Sequence, residues 1–294
     1  LALVMSRPSN TIDPVHGTPQ AVSCGAVNFC VAGDRVGDVL SYNGSAWTTP
    51  ASVGLFQDLI NSVSCVSSSF CAAVTDGGDA TTFNGQAWST PVAVDPGHEL
   101  LAVSCVSSTF CLASDLDGQA FNSSVVQFNG STWSKPMSVD PSQLIDTSSG
   151  PNITFCVAGD WDGQVMTYNG TKWSAPMQID AASSISQISC PSTSFCAVTD
   201  FDGGVATYNG TTWSGVSLLG DGDSQGYVSC PSASFCGVFN LKGDAATYNG
   251  TSWSTTTSID TYAPTSLDRV AGISCPTVTF CVAVDGDGNA EEGV

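Results

Sequence analysis

Apolar and polar residues alternate along this chain in short runs, and the runs return with a spacing of 40 to 45 residues. Each period has the same order: Ser-Cys, a short polar turn, Phe-Cys opening a small apolar stretch, an Asp/Gly turn, a run ending in Tyr or Phe, Asn-Gly, then Trp with Ser or Thr. In one unit the stretch Phe195 to Thr199 is apolar almost throughout, and Val205 to Tyr208 alternates before Asn209-Gly210. Runs this short, bounded by turn residues, predict strands. Asn-Gly between two such runs predicts a hairpin, since both residues tolerate the positive φ of a type I′ turn. Lys, Glu and Arg, which favour helix, are scarce, so the expectation is all-β.

Four strands and three turns fit one period, which is the size of a propeller blade, and blades bury their faces against neighbours. First cysteines fall at Cys24, Cys65, Cys105, Cys190, Cys230 and Cys275, and a further unit around Phe155-Cys156 fills the long gap between Cys105 and Cys190. Seven units predict a seven-bladed β-propeller of four-stranded antiparallel blades, one domain spanning 1–294. Asn-Gly-x-x-Trp occurs six times, ending at Trp47, Trp88, Trp133, Trp173, Trp213 and Trp253; the seventh unit reaches Val294 without it. Met5-Ser6-Arg7-Pro8 followed by Ile12-Asp13 matches Trp173-Ser174-Ala175-Pro176 followed by Ile179-Asp180. The N-terminal strand, 1–13, should therefore pair with the last blade, 264–294, closing the ring and covering an otherwise open strand edge.

Twelve of the 13 cysteines pair as Cys-x5-Cys: Cys24 with Cys30, Cys65 with Cys71, Cys105 with Cys111, Cys190 with Cys196, Cys230 with Cys236, and Cys275 with Cys281. That spacing, with no histidine nearby, is wrong for zinc and right for short-loop disulfides in an oxidising compartment. Each bridge contributes at most about 2 kcal/mol on the loop-entropy account. Cys156 has Gly150 in its partner's place and is expected as a buried free thiol. Six basic against 26 acidic residues give a net charge of -20, which repels nucleic acid and anionic membranes. No apolar run is long enough to span a bilayer, and no signal peptide is evident. The expectation is a mature fragment of an exported protein, extracellular or at a cell surface.

The segment Thr207-Tyr-Asn-Gly-Thr-Thr-Trp213 resembles the Asp-box of sialidase-like propellers, with Asn for Asp and one residue fewer. The wider pattern is similar to secreted actinobacterial repeat proteins with Ser-Cys-Pro-Ser-x-x-Phe-Cys units, present at 189–196 and 229–236. Both resemblances imply a propeller; in Asp-box families the motif is structural and lies away from the active site.

The second turn of a unit is Asp-x-Asp-Gly at Asp115, Asp160, Asp200 and Asp285, with looser forms at Asp34 and Asp76. Paired carboxylates could hold calcium, but the later ligands of a calcium loop are missing, and turn chemistry alone explains Asp and Gly there. No cofactor is expected, and calcium is the one alternative entertained. The x position is Leu116, Trp161, Phe201 and Leu241 in four successive units, and a turn tip has no packing reason to be aromatic. These residues, with Asp160, Asp162, Asp200 and Asp202, are the candidate ligand-binding set: an apolar arc beside carboxylates, suited to a sugar ring or a protein partner. The repeated Trp residues read as inter-blade packing rather than lectin sites. Asn43 and Asn209 begin glycosylation sequons that coincide with the hairpin turn, whereas Asn122 and Asn152 begin sequons outside it.

Catalytic groups are thin. His16 and His98 stand alone in the sequence, and no nucleophile–base arrangement can be placed. Acids outside the repeat are Asp58, Glu99, Asp146, Asp223 and Asp268, with Arg35 and Arg269 as candidate anion clamps. The expected function is a secreted, non-catalytic recognition propeller for a glycan or cell-surface partner. The alternatives are a propeller-type glycoside hydrolase or lyase, and a structural subunit of an extracellular layer or filament.

Overall fold

The computed structural model describes residues 5–13, 18–55, 58–117, 122–140, 145–222, 224–258 and 270–293. Their strands form seven four-stranded antiparallel sheets, and within six of them the order in space is the order in the chain. Blades 1 to 6 span 19–52, 60–93, 99–140, 145–178, 185–218 and 226–258. Blade 7 takes three strands from 270–293 and its outermost strand, Met5–Thr11, from the other end of the chain. Ile12 and Asp13 then donate backbone hydrogen bonds to the Gly288 carbonyl, as Ile179 and Asp180 do to Gly163. The N-terminus thus stands where Trp173–Asp180 stands in blade 4, as the sequence match anticipated.

First strands of neighbouring blades pack together around the axis. The serine before the first cysteine, with Ser149 before Gly150 in blade 4, explains how they are held in register at six of the seams. Hydroxyls of Ser23, Ser64, Ser149, Ser189, Ser229 and Ser274 accept the backbone N–H of Cys65, Cys105, Cys190, Cys230, Cys275 and Cys24 in the next blade, at 2.9–3.0 Å. The cysteine itself staples its own blade, joining first and second strands in six bridges. Cys156 is free and buried, and burial pushes its thiol up to about 12.

Second strands such as Phe70–Thr75 and Phe195–Asp200 are buried along their whole length, because each is sandwiched between two blades. Small residues permit the close approach: a Cβ added at Gly33 or Gly159 would meet Ile60 or Ile185 of the next blade at 2.5 and 2.7 Å. Outside this layer, the Phe of a Phe-Cys unit stacks on the third-strand aromatic of the following blade, as in Phe29–Phe83, Phe195–Tyr248 and Phe280–Tyr42. The repeated Trp leans on that same aromatic, as Trp213 does on Tyr208 with centroids 5.3 Å apart.

The Asn-Gly turns differ from a two-residue hairpin. Tyr42 bridges Trp47 across a four-residue loop. Gly44 supplies a φ of 92°, while Asn43 acts through its side chain, accepting the N–H of Ser45 and Ala46 at 3.0 Å. A four-residue loop leaves inward-facing N–H groups that an Asx oxygen satisfies, which is why Asn is retained there. The Ser or Thr after Trp completes the motif: the Thr207 N–H donates to Ser214 Oγ at 3.0 Å.

Candidate functional site

The turns between second and third strands meet the blade-to-blade connections on one face of the ring. The N–H of Phe201 donates to the Ser184 carbonyl, and that of Leu241 to Gln225. Between blades 4 and 5 this arrangement opens a cleft of about 690 Å³, lined by Trp161, Asp162, Gln178, the connection 181–184, Phe201 and Asp202. Trp161 is 47% exposed and Phe201 37%. Ser184 ties the two tips together, since its carbonyl accepts from Phe201 and its hydroxyl donates to the Trp161 carbonyl at 2.5 Å. Gln178 spends both side-chain N–H groups on the carbonyls of Asp162 and Asp180, each at 2.6 Å.

The eight residues singled out from the sequence separate into three groups. Trp161, Asp162, Phe201 and Asp202 share the cleft. Asp160 and Asp200 lie buried beneath it and are committed to their own turns: Asp160 Oδ1 accepts from Asp162 and Gln164, and Asp200 Oδ1 from Asp202 and Gly204. Leu116 leaves the arc, whereas Leu241 keeps its place at a turn tip but lies outside this cleft. Leu116 is not at a tip, because the strand Phe110–Asp117 carries it onward, half-buried and paired with Ser123, while Gly118 lies outside the described residues. Leu241 is half-buried one blade further on. Ser184 was not legible in the sequence, since the connection 181–184 belongs to no repeat, and Gln178 sits in a short outer strand whose residues differ from blade to blade.

Beneath the turns runs a second feature that the sequence reading missed. The buried carboxyl of Asp200 hydrogen-bonds that of Asp180, which follows the outermost strand of blade 4; burial first, and then this contact, push Asp200 up to about 6. Between blades 2 and 3, burial and a hydrogen bond to Asp95 push Asp115 up to about 7. Between blades 7 and 1, burial raises Asp34, and the charges of Asp38 and Asp13 add to it. In the sequence the pairing runs round the ring as Asp13/Asp34, Asp95/Asp115, Asp140/Asp160, Asp180/Asp200 and Asp260/Asp285. The remaining two seams have Gly54/Thr75 and Gly220/Asn240, so the first acid occurs only where the second does. Asp260 and the side chain of Asp140 lie outside the described residues.

The physical reason is visible at the turn. Asn240 Oδ1 accepts from Lys242 and Asp244 just as Asp200 Oδ1 accepts from its own turn, and Thr75 Oγ1 accepts from Asp79. Every such turn needs one acceptor oxygen. Aspartate brings a second, and a buried second oxygen is best matched by a carboxyl proton from the neighbouring blade.

His98 does not stand alone: its Nδ1 lies 3.1 Å from Asp95 Oδ2, where the turn 95–98 folds back on itself. Asp95, His98 and Asp115 bring ligand atoms within 4.8 Å of one another and are the described residues best placed to hold a cation. Within a single Asp-x-Asp-Gly turn, by contrast, Asp160 is buried and Asp162 exposed. The other acids are scattered. Asp58 lies beside Asp76 and Asp79, both raised chiefly by burial with the Asp58 charge adding. Glu99 is exposed at the start of blade 3, and Arg35 reaches Gln20 Oε1 at 3.4 Å in blade 1. His16, Asp223, Asp268, Arg269 and the side chain of Asp146 lie outside the described residues.

No family model matches this sequence, and no curated protein matches it either. Among solved structures it is similar in fold to "YCF48 bound to D1 peptide", with TM-score 0.73 and 12% identity over 98% of this chain and 96% of that one. A second similar structure is "YCF48 from Cyanidioschyzon merolae", with TM-score 0.71 and 14% identity over 100% of this chain and 98% of the other.

Proposed function

We propose that this chain is a secreted, non-catalytic recognition propeller that captures a protein partner through the cleft between blades 4 and 5. The observation that carries the reading is the pair of exposed rings, Trp161 and Phe201, set in one cleft by Ser184. Aromatic side chains left exposed on a rigid frame supply contact area at low entropic cost, the usual chemistry of an interaction anchor. The neighbouring fold solved with a D1 peptide supports a polypeptide rather than a glycan as ligand. Six disulfides support an oxidising location outside the cytosol, and so export.

The test is to pan a random peptide display library and a glycan array with the oxidised ring and with its Trp161→Ala/Phe201→Ala variant. Enrichment of peptides by the native ring, lost in the variant, supports the reading. Sugar binding that depends on the two rings would move the ligand to a glycan. Peptide binding unchanged in the variant would remove the cleft from the function.

A further inference from the structure

The chemistry left uncommitted in the cleft is one-sided. Asp162 and Asp202 are exposed, and no side-chain partner holds either carboxylate among the described residues. The donors nearby are largely spent: both Gln178 N–H groups and the Ser184 hydroxyl are bonded to backbone carbonyls within the cleft wall. The lining side chains that remain are two exposed carboxylates, two exposed aromatic rings, the Gln178 amide oxygen and the Ser183 hydroxyl. A sugar hydroxyl both donates and accepts, whereas lysine and arginine side chains only donate and also favour aromatic faces.

The next seam shows how this architecture treats a cation. At the position of Asp162 and Asp202 in the repeat, blade 6 carries Lys242. Its ammonium donates to the Gly222 carbonyl at 3.1 Å and lies 3.5 Å from Asp221. That ledge supplies its own cation, while no Lys or Arg lines the cleft between blades 4 and 5. The net charge of -20 extends the same polarity over the whole molecule, which steers a basic partner inward.

We propose that the cleft seats a lysine or arginine side chain of a basic polypeptide segment, its cation against Trp161 and Phe201 and between the carboxylates of Asp162 and Asp202. This rests on the recognition reading above and adds the class of partner.

The probes are peptides enriched by the native ring, resynthesised with each arginine as citrulline or each lysine as acetyl-lysine, and titrated at two salt concentrations. The expected result is that neutralising one cation weakens binding about tenfold or more, and that Asp162→Asn/Asp202→Asn does the same with Tm unchanged. Native affinity should fall as salt rises, and the double Asn variant should lose much of that dependence. Neutralised peptides that bind as well as their parents would overturn the cationic partner while leaving peptide recognition intact. Failure of the native ring to enrich any peptide would remove the recognition reading itself, and this inference with it.

Discussion

The two seams that flank blade 5 share the same side-chain-capped turn and carry opposite chemistry. On one side Asp180 and Asp200 share a hydrogen bond below an acidic, aromatic ledge. On the other, Gly220 and Asn240 hold those positions below a ledge carrying Leu241 and Lys242. Both turns are built by one side-chain oxygen accepting two N–H groups, at 2.9 and 2.6 Å in the first and 3.0 and 2.9 Å in the second. The difference teaches that the turn constrains one oxygen and leaves the rest of the side chain to the neighbouring blade. A buried second carboxylate oxygen carries a desolvation cost, which a shared carboxyl proton offsets where Asp180 meets Asp200 and Asp95 meets Asp115, while Asp34 Oδ2 stays buried without a hydrogen bond.

The strongest way to break this comparison is to remove the oxygen that both seams share. Asp200→Ala leaves the N–H groups of Asp202 and Gly204 without their acceptor and Asp180 without its partner, and should cost about 3 kcal/mol in urea unfolding. Asp180→Gly with Asp200→Asn rebuilds the other seam's pair, and should cost far less. If both variants lose the same stability, the account of the turn is wrong.

Proton linkage sharpens the contrast. A carboxyl whose folded pKa is raised stabilises the fold fully below its ordinary value and loses that contribution as pH rises through the folded value. For Asp200 the window runs from the usual carboxylate range up to about 6, and Tm should fall by roughly 5 °C across it. Asp180→Gly/Asp200→Asn should reduce this slope in differential scanning calorimetry across the same pH series, leaving the part that Asp115 contributes up to about 7.

Blade 4 extends the comparison inward, since it faces the cleft yet lacks the staple of its neighbours. A Cβ at Gly150 would lie 2.5 Å from Cys156 Sγ. Gly150→Cys should therefore close a seventh bridge, abolish the free-thiol signal and add about 1–2 kcal/mol. The smallest stability effect belongs to the ledge. Trp161→Ala and Phe201→Ala should each change unfolding free energy by less than about 0.5 kcal/mol, because both rings are exposed. A larger loss would mean that they are packing residues rather than contacts for a partner.

The blades, their number, the staples and the ring closure were legible in the sequence, because each is a local pattern repeated about seven times. Ser-Cys could be seen as a motif, but the reach of its serine to the next blade could not. The candidate site was half legible: Trp161 and Phe201 stood out as aromatic residues where a turn needs none, while Ser184 and Gln178 carry no signal. Leu116 broke the pattern because its strand runs past the point where the others turn. The acid pairs were present in the sequence all along, but Asp180 and Asp200 belong to different repeats.

By itself, then, the sequence determined what a blade is made of, since strand period, turn residues and cysteine spacing act over a few residues. The tertiary structure decided what lies between blades: which carboxyl meets which, which tips share a cleft and which donors are already spent. Those outcomes depend on distances between segments some 20 or 40 residues apart, which only the packing of one sheet against the next sets.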